Sequence, residues 1–306
     1  MRHVIFVSAF IVALFTSSLS FAQQHCYISK GAYKPSVDRW HRSMKRVGVQ
    51  GTCWIGSQAG GGNVDRLHKN GARDTIIYAP PSVNFSKPIT IIFWWHGLGG
   101  FSEREFTKRI LPNVAHLSLQ GHNFVLVISE LAWSKNTKTP RGRQGRSWIG
   151  TSTENFSVYY SETIQTIAKH IVPKSVCEQR GWCGFLPDNI VIIGHSAGGS
   201  AIKSAAKSGA LESIQPDRIV FSDAGYGRWT DTAWKYHVRD SASCDFILLV
   251  RKWDKPYKNT LRFLKRFRKK IPKNIHLNVM PSRKFTHTNI GDQALLWAFK
   301  NLDFQD

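Results

Sequence analysis

The stretch Asn189-Ile-Val-Ile-Ile-Gly-His-Ser-Ala-Gly-Gly199 decides the fold of this chain. Its apolar residues from Ile190 to Ile193 predict a short buried strand, and the small residues from Gly198 to Ala206 predict a helix. Between them lies a G-x-S-x-G pattern, which in a strand–turn–helix context is typical of a nucleophile elbow. The flanking glycines permit a strained turn, so Ser196 is predicted to present its hydroxyl clear of the sheet as a nucleophile.

A second glycine motif, His96-Gly-Leu-Gly-Gly100, follows the apolar run Ile89–Trp95. A uniformly apolar strand is typical of a central strand that is buried on both faces. The glycines after it allow the backbone to turn tightly and to point an N–H group into a site. We therefore expect the N–H of Leu98, with Gly97, and the N–H of Ala197 to form an oxyanion hole.

Apolar strands and amphipathic helices alternate along the chain from residue 74 onward. The predicted strands are Thr75–Ala79, Ile89–Trp95, Phe124–Ile128, Ile190–Ile193, Arg218–Ser222, Asp245–Val250 and Ile275–Met280. The predicted helices are Phe106–Leu117, Glu154–Ile171, Gly198–Ala206, Tyr257–Ile271 and Gln293–Asn301. This alternation predicts an α/β fold with a mostly parallel central sheet and helices on both faces. Ligands bind such sheets beyond the carboxyl ends of the strands, where His96, Ser196, Asp223, Asp254 and His287 all fall.

The N-terminus has the organisation of a secretory signal peptide, with a positive end, an apolar run and a small-x-small site at Ser20-Phe21-Ala22. We expect cleavage after Ala22 and a secreted or periplasmic product with no transmembrane segment after cleavage. Residues 23–72 lack a clean period and are interpreted as an N-terminal extension packed on the main domain. Residues 73–306 form the predicted catalytic domain.

The chain has five cysteines, so one must remain unpaired if the others form disulfides. Export makes disulfides plausible. Cys177 and Cys183 flank a short loop that could close easily, Cys26 and Cys53 both lie in the extension, and Cys244 is the candidate free thiol. No C-x-x-C pair occurs, so the pattern predicts no zinc site, and the chemistry expected here needs no metal or cofactor.

The formal net charge of +22, with a pI near 10.1, is the strongest global feature of the composition. It predicts non-specific association with anionic envelope polymers and no specific nucleic-acid partner. A long basic loop lies between Trp133 and Trp148, and these two tryptophans are predicted to bind substrate. A mobile, solvated loop is the alternative. The basic residues from Arg262 to Lys269 are interpreted as a solvated helix face.

On these motifs, from Asp74 to about residue 304, the chain resembles the α/β-hydrolase superfamily. The resemblance rests on Gly194-His-Ser-Ala-Gly198, on His96-Gly-Leu-Gly-Gly100, and on a late histidine, His287, before the last helix. Within the superfamily it is similar to exported esterases of the feruloyl esterase and polyhydroxyalkanoate depolymerase type, because Tyr78-Ala-Pro-Pro81 precedes the oxyanion strand. The resemblance implies an α/β-hydrolase fold with Ser196 as nucleophile and His287 as general base and then acid.

Two carboxylates compete for the role of orienting His287. Asp254 follows the next-to-last strand, where the resemblance implies that most members carry the acid, whereas Asp223 follows the strand before, as in a minority of family lipases. The sequence favours Asp254 and keeps Asp223 as the alternative. His287 itself lies in a polar Thr-His-Thr-Asn loop, where an imidazole can reach a serine hydroxyl.

The combined prediction is an exported serine hydrolase that cleaves carboxylic esters of small molecules or polymers through an acyl-enzyme. Two alternatives stay open. The first is an envelope peptidase or amidase with the same triad, and the second is a non-catalytic polyanion-binding protein on a hydrolase scaffold. The intact Ser196, His287 and glycine motifs weigh against the second alternative.

Overall fold

The structure, a computed structural model, describes residues 25–28, 51–57, 74–98, 105–129, 131, 153–241, 243–268 and 270–300. The predicted signal peptide, most of the predicted extension, and both Trp133 and Trp148 lie outside these residues. Nine strands are found in the described ranges. They are β1 (His25–Ile28), β2 (Thr52–Ser57), β3 (Asp74–Ala79), β4 (Thr90–Trp95), β5 (Phe124–Ser129), β6 (Asn189–His195), β7 (Arg218–Ser222), β8 (Asp245–Arg251) and β9 (Ile275–Met280).

Eight α-helices connect or follow these strands in the described part of the chain. They are α1 (Leu111–Leu119), α2 (Thr153–His170), α3 (Lys174–Arg180), α4 (Gly198–Lys207), α5 (Ala210–Ile214), α6 (Trp229–Tyr236), α7 (Lys255–Leu264) and α8 (Ile290–Ala294). A π-helical turn, Phe106–Ile110, leads into α1. Short 3₁₀ helices occupy Val238–Asp240 and Leu296–Ala298.

The strands form a single sheet in the order β1-β2-β3-β5-β4-β6-β7-β8-β9. Strands β5, β4, β6, β7, β8 and β9 are mutually parallel, whereas β3 runs antiparallel to both of its neighbours, β2 and β5. The predicted mostly parallel sheet is therefore confirmed. The region interpreted as an extension contributes β1 and β2, which pair in parallel at the outer end of this sheet.

The central strand β4 shows why both faces of the sheet are covered. Its residues Phe93 and Trp95 pack on one face against Phe156 of α2, with ring centroids 5.7 and 5.1 Å apart. Its residues Ile92 and Trp94 belong to the core on the opposite face, with Phe106 of the π-helical turn. Because β4 is buried along its whole length, its uniformly apolar sequence is explained, and the prediction of helices on both faces is confirmed.

Two predicted helices end differently in the structure, and a third, Phe106–Leu117, begins as the π-helical turn before it continues as α1. Helix α7 ends at Leu264 rather than Ile271, where a dense run of like charges begins and Phe267 turns inward to pack 5.2 Å from Trp234. The predicted closing helix Gln293–Asn301 is instead the end of α8 followed by the 3₁₀ helix. Neither difference moves the strands that carry the site.

The cysteine predictions are confirmed where the structure describes them. Cys177 and Cys183 form a disulfide, and Cys244 is free and buried. Burial raises the pKa of the Cys244 thiol to about 12, so this thiol stays protonated. Strands β1 and β2 place Cys26 opposite Cys53, although the side chain of Cys26 lies outside those described. No helix among the described residues is long and apolar enough to cross a membrane.

Candidate active site

Ser196 lies at the sharp turn between β6 and α4, as the elbow prediction requires. Its backbone is in the left-handed region with φ 52°, which is uncommon and strained for a residue other than glycine. A Cβ on Gly198 would come within 2.1 Å of the carbonyl oxygen of Trp95, and one on Gly194 would meet the backbone of Gly198 at 2.9 Å. The two glycines therefore allow the helix to approach the sheet closely enough for the turn to form.

A continuous hydrogen-bond relay begins at this serine. The Oγ of Ser196 is 2.8 Å from Nε2 of His287, and Nδ1 of His287 is 2.6 Å from Oδ2 of Asp223. With the imidazole neutral and protonated at Nδ1, the hydroxyl donates to Nε2 and Nδ1–H donates to the carboxylate. His287 comes from the loop between β9 and α8, so three separate segments of the chain converge on one line of atoms.

Asp223 follows β7 directly and is fully buried. Its backbone φ of 45° is also in the left-handed region, which marks a strained position at the strand end. Its second carboxylate oxygen, Oδ1, accepts the backbone N–H of Arg251 at 3.3 Å, while its own N–H donates to the carbonyl of Leu249. These contacts to β8 fix the carboxylate behind His287, where it can hold one tautomer and stabilise an imidazolium.

The carboxylate of Asp254 binds Arg251 and not His287. Its two carboxylate oxygens accept a bidentate pair of hydrogen bonds from Arg251, at 2.6 Å each, and the residue lies at the N-terminal boundary of α7. The structure thus brings Asp223, and not Asp254, to His287, which corrects the preference given by the sequence. Both aspartates follow neighbouring parallel strands, but a guanidinium three residues away satisfies Asp254 locally.

The turn that carries the predicted oxyanion donors lies against Ser196. Gly97 is buried and so close that a Cβ on it would lie 3.0 Å from the Cβ of Ser196. No turn or loop acceptor in the described residues takes the N–H of Leu98 or of Ala197. Gly97 thus brings this turn against the nucleophile, and Ala197 follows Ser196 directly in the chain, a placement that suits an oxyanion hole.

His96 fixes the orientation of this turn. It is buried, its Nδ1–H donates to the carbonyl of Gly97 at 2.7 Å, and its Nε2 accepts the N–H of Leu131 at 2.8 Å. Burial lowers the pKa of His96 to about 4, so the ring stays neutral. Because the C=O and N–H of one trans peptide point in opposite directions, holding the Gly97 carbonyl also aims the N–H of Leu98. These contacts give His96 a structural role beside the site.

Sequence reasoning missed Tyr226, in the loop that follows Asp223. Its ring packs edge-on against His287, with centroids 6.3 Å apart at 82°, and its phenol lies near the side chain of Ser196. Desolvation, and secondarily the charge of Asp223, raise the pKa of Tyr226, so the phenol remains a hydrogen-bond donor. The shaped Asp223-Ala-Gly-Tyr-Gly sequence was the available signal.

The remaining features near the predicted site are the two substrate-binding tryptophans, the last glycines of the oxyanion motif, metal binding and His276. Trp133 and Trp148, predicted to bind substrate, lie outside the described residues, as do Gly99 and Gly100. Within the described ranges, no group of three or more His, Cys, Asp or Glu side chains is arranged to hold a metal ion. His276, in β9, hydrogen-bonds to Asp245 at 3.1 Å.

Comparisons with known proteins give a likeness of architecture only. No protein-family model matches the chain, and no curated protein sequence does. Among solved structures, a mutant feruloyl esterase module from Clostridium thermocellum in complex with sinapinate is 13% identical, with a TM-score of 0.47, and covers 79% of this chain and 87% of its own.

Two further solved structures are similar to this chain at comparable levels. Esterase B from Lactobacillus rhamnosis is 12% identical, with a TM-score of 0.43 and coverage of 83% and 84%. Oligopeptidase B from Trypanosoma brucei is 12% identical, with a TM-score of 0.42, and covers 81% of this chain but 36% of its own. At such identities activity and substrate must be inferred from the site itself.

Proposed function

We propose that this chain, which has the α/β-hydrolase fold, is a serine hydrolase that cleaves carboxylic esters through a covalent acyl-enzyme. The observation that carries the proposal is the relay from Ser196 through His287 to the buried Asp223. A nucleophile, a base and an orienting carboxylate within hydrogen-bond distance are the elements that acyl transfer needs. The strained elbow at Ser196 supports the proposal, and the backbone N–H groups of Leu98 and Ala197 are the proposed oxyanion donors.

Acylation follows from this geometry. As the Oγ of Ser196 attacks the ester carbonyl, Nε2 of His287 takes its proton, and the imidazolium formed is stabilised by Asp223. The carbonyl oxygen becomes an oxyanion and accepts the N–H groups of Leu98 and Ala197. His287 then gives its proton to the departing alkoxide, so an alcohol leaves and the acyl group remains on Ser196.

Deacylation repeats the same proton transfers with water. His287 takes a proton from a water molecule, the resulting hydroxide attacks the acyl carbonyl, and a second tetrahedral oxyanion forms at the same donors. The collapse of this oxyanion expels the Ser196 oxygen, which regains its proton from His287. The products are a carboxylic acid and the free enzyme, and every step uses groups of this chain and water.

An activity screen tests the ester proposal. We would measure hydrolysis of chromogenic acyl esters of graded chain length beside amides that carry the same acyl groups. We expect esters to be turned over and matched amides to react much more slowly. Turnover of the amides at equal or higher kcat/KM would instead favour the peptidase or amidase alternative. A chain that turns over neither and does not react with a fluorophosphonate would be a binding protein on this scaffold.

Tyr226 is proposed to assist the departure of the Ser196 oxygen. Its phenol lies near that oxygen and, as a neutral hydroxyl, can donate to it when it carries negative charge during breakdown of the acyl-enzyme. We expect Tyr226→Phe to lower kcat by roughly 10-fold to 100-fold, because one charge-directed donor is lost while the ring packing against His287 remains. Pre-steady-state kinetics should show accumulated acyl-enzyme. Unchanged kcat, with no accumulated acyl-enzyme, would remove Tyr226 from the mechanism.

Export to the periplasm or beyond is also a proposal. The Cys177–Cys183 disulfide supports it, because such bonds persist mainly in oxidising compartments. The predicted cleavage after Ala22 lies outside the described residues. N-terminal sequencing of the protein recovered from its native host should begin at Gln23. An intact N-terminus on cytoplasmic protein would contradict the proposal.

The predicted association with anionic envelope polymers stays a prediction. Of the basic residues predicted to form a solvated helix face, Arg262 is exposed on α7, Lys265 and Arg266 are exposed just beyond its end, and Lys269 lies outside the described residues. Lys255 and Lys258 of α7 are exposed as well. Such a surface binds polyanions through charge alone, so binding should weaken steeply as salt is added. Retention on an anionic polysaccharide column that does not change with salt would argue against it.

A further inference from the structure

His195 precedes the nucleophile in the elbow, and its side chain faces the loop that carries the base. It is buried, and its Nε2 lies 2.9 Å from the backbone carbonyl oxygen of His287. The two imidazole rings stack with centroids 5.1 Å apart and an interplanar angle of 30°. The residue beside the nucleophile is thus in direct contact with both the backbone and the ring of the proposed base.

Arg109, from the π-helical turn, completes this contact. Its Nη1 lies 3.2 Å from Nδ1 of His195 and 2.8 Å from the carbonyl oxygen of Thr288, and its Nε pairs with Glu105 at 3.1 Å. A guanidinium can only donate, so Nδ1 of His195 must accept. The ring proton is therefore on Nε2, and Nε2–H donates to the carbonyl of His287. Arg109 sets the tautomer that His195 needs.

Burial keeps the ring of His195 neutral, and Gly291 leaves space for the side chains of His195 and Arg109. Burial first, and then the charge of Arg109, lower the pKa of His195 to about 3, so its ring stays uncharged at neutral pH. A Cβ on Gly291, in the first turn of α8, would approach Nη1 of Arg109 at 2.9 Å and Cδ2 of His195 at 3.0 Å. A glycine at this position therefore lets both side chains reach the loop.

We propose that His195 and Arg109 are positioning residues that hold the His287 loop against Ser196 by binding two consecutive backbone carbonyls. This inference rests on the proposed function. His195 binds the carbonyl of His287, and Arg109 binds the carbonyl of Thr288. Together they fix the backbone of the loop, so the imidazole of His287 is kept at 2.8 Å from the Ser196 oxygen. Neither residue touches the reacting atoms, and their effect is exerted through the backbone of the base.

Two substitutions at His195 separate positioning from packing. His195→Met fills the cavity without a donor, whereas His195→Gln places an amide N–H near the former Nε2. We expect His195→Met to lower kcat about 10²-fold with little change in KM, because a misplacement of the base near 1 Å costs about that much. His195→Gln should recover most of the loss. A packing role predicts the opposite order, since the apolar side chain suits a buried site better.

Arg218 offers a matched control. Its guanidinium donates to the backbone carbonyls of Trp297 and Ala298 at 3.0 and 2.8 Å, from the end of β7 opposite Asp223. We expect Arg218→Met to lower the melting temperature while kcat stays within about threefold of the wild type. Arg109→Met should behave like His195→Met, and the double variant should lose little more than either single one, because the two residues act as a unit.

The proposal is overturned if His195→Met keeps kcat within threefold of the wild type, or if it equals or exceeds His195→Gln. A second readout does not depend on turnover. The proton between His287 and Asp223 should give a low-field NMR resonance in the wild type and in His195→Gln, and this resonance should be lost or shifted in His195→Met. An unchanged resonance would also contradict the proposal. Failure of the proposed function is distinct, because the wild type itself would then not react with a fluorophosphonate.

Discussion

Replacement of Ser196 by alanine is expected to lower kcat by about 10³-fold or more while leaving the fold intact. The hydroxyl oxygen is the only atom removed, and it is the atom 2.8 Å from Nε2 of His287. Without it no acyl-enzyme can form, and only the oxyanion donors and substrate binding remain to assist water. Steady-state kinetics on the best ester from the screen, together with fluorophosphonate labelling, measure the effect.

Ser204 provides a matched control for this experiment. It lies in the same helix, α4, and is half-buried, but it is two turns beyond the elbow. Ser204→Ala should keep the wild-type kcat and the wild-type rate of labelling. If clean Ser196→Ala protein retains more than a tenth of the wild-type activity, the nucleophile has been assigned to the wrong residue.

Replacement of Asp223 by asparagine is expected to lower kcat by roughly 10⁴-fold, the size of effect seen when a triad carboxylate becomes an amide. An amide keeps the shape but removes the charge that stabilises the imidazolium of His287. It can also donate to Nδ1 and so favour the wrong tautomer. Circular dichroism should confirm that the buried site tolerates the change before kcat is compared at neutral pH.

Asp254→Asn is the paired control, since it loses the bidentate pair with Arg251 and nothing at His287. We expect its kcat to fall no more than a few-fold. A loss of several orders of magnitude in Asp254→Asn, with Asp223→Asn nearly active, would restore the preference of the sequence. A few-fold loss in both variants would require a third carboxylate.

Much of the fold could be predicted because its signals are local. The buried strand, the glycines and the small residues around Ser196 describe one turn, and that turn demands those residue types whatever surrounds it. Strand β4 could be predicted from its apolar sequence for the same reason, because a strand that is buried on both faces has no polar side. What sequence reasoning overlooked were contacts between distant segments, such as Tyr226 with Ser196 and Arg109 with His195.

The sequence by itself determined the strand–turn–helix around Ser196 and the glycine turns, and it pointed to Ser196 and His287 as the proposed nucleophile and base, because each is specified by the residues immediately around it. Only the tertiary structure decided between Asp223 and Asp254. Both follow neighbouring parallel strands at the same edge of the sheet, so their order along the chain does not distinguish them. The choice depends on where the His287 loop comes to rest, and contacts from residues 92 and 179 positions away, His195 and Arg109, place it there. Asp223 is in reach of that position, and Asp254 is held by Arg251.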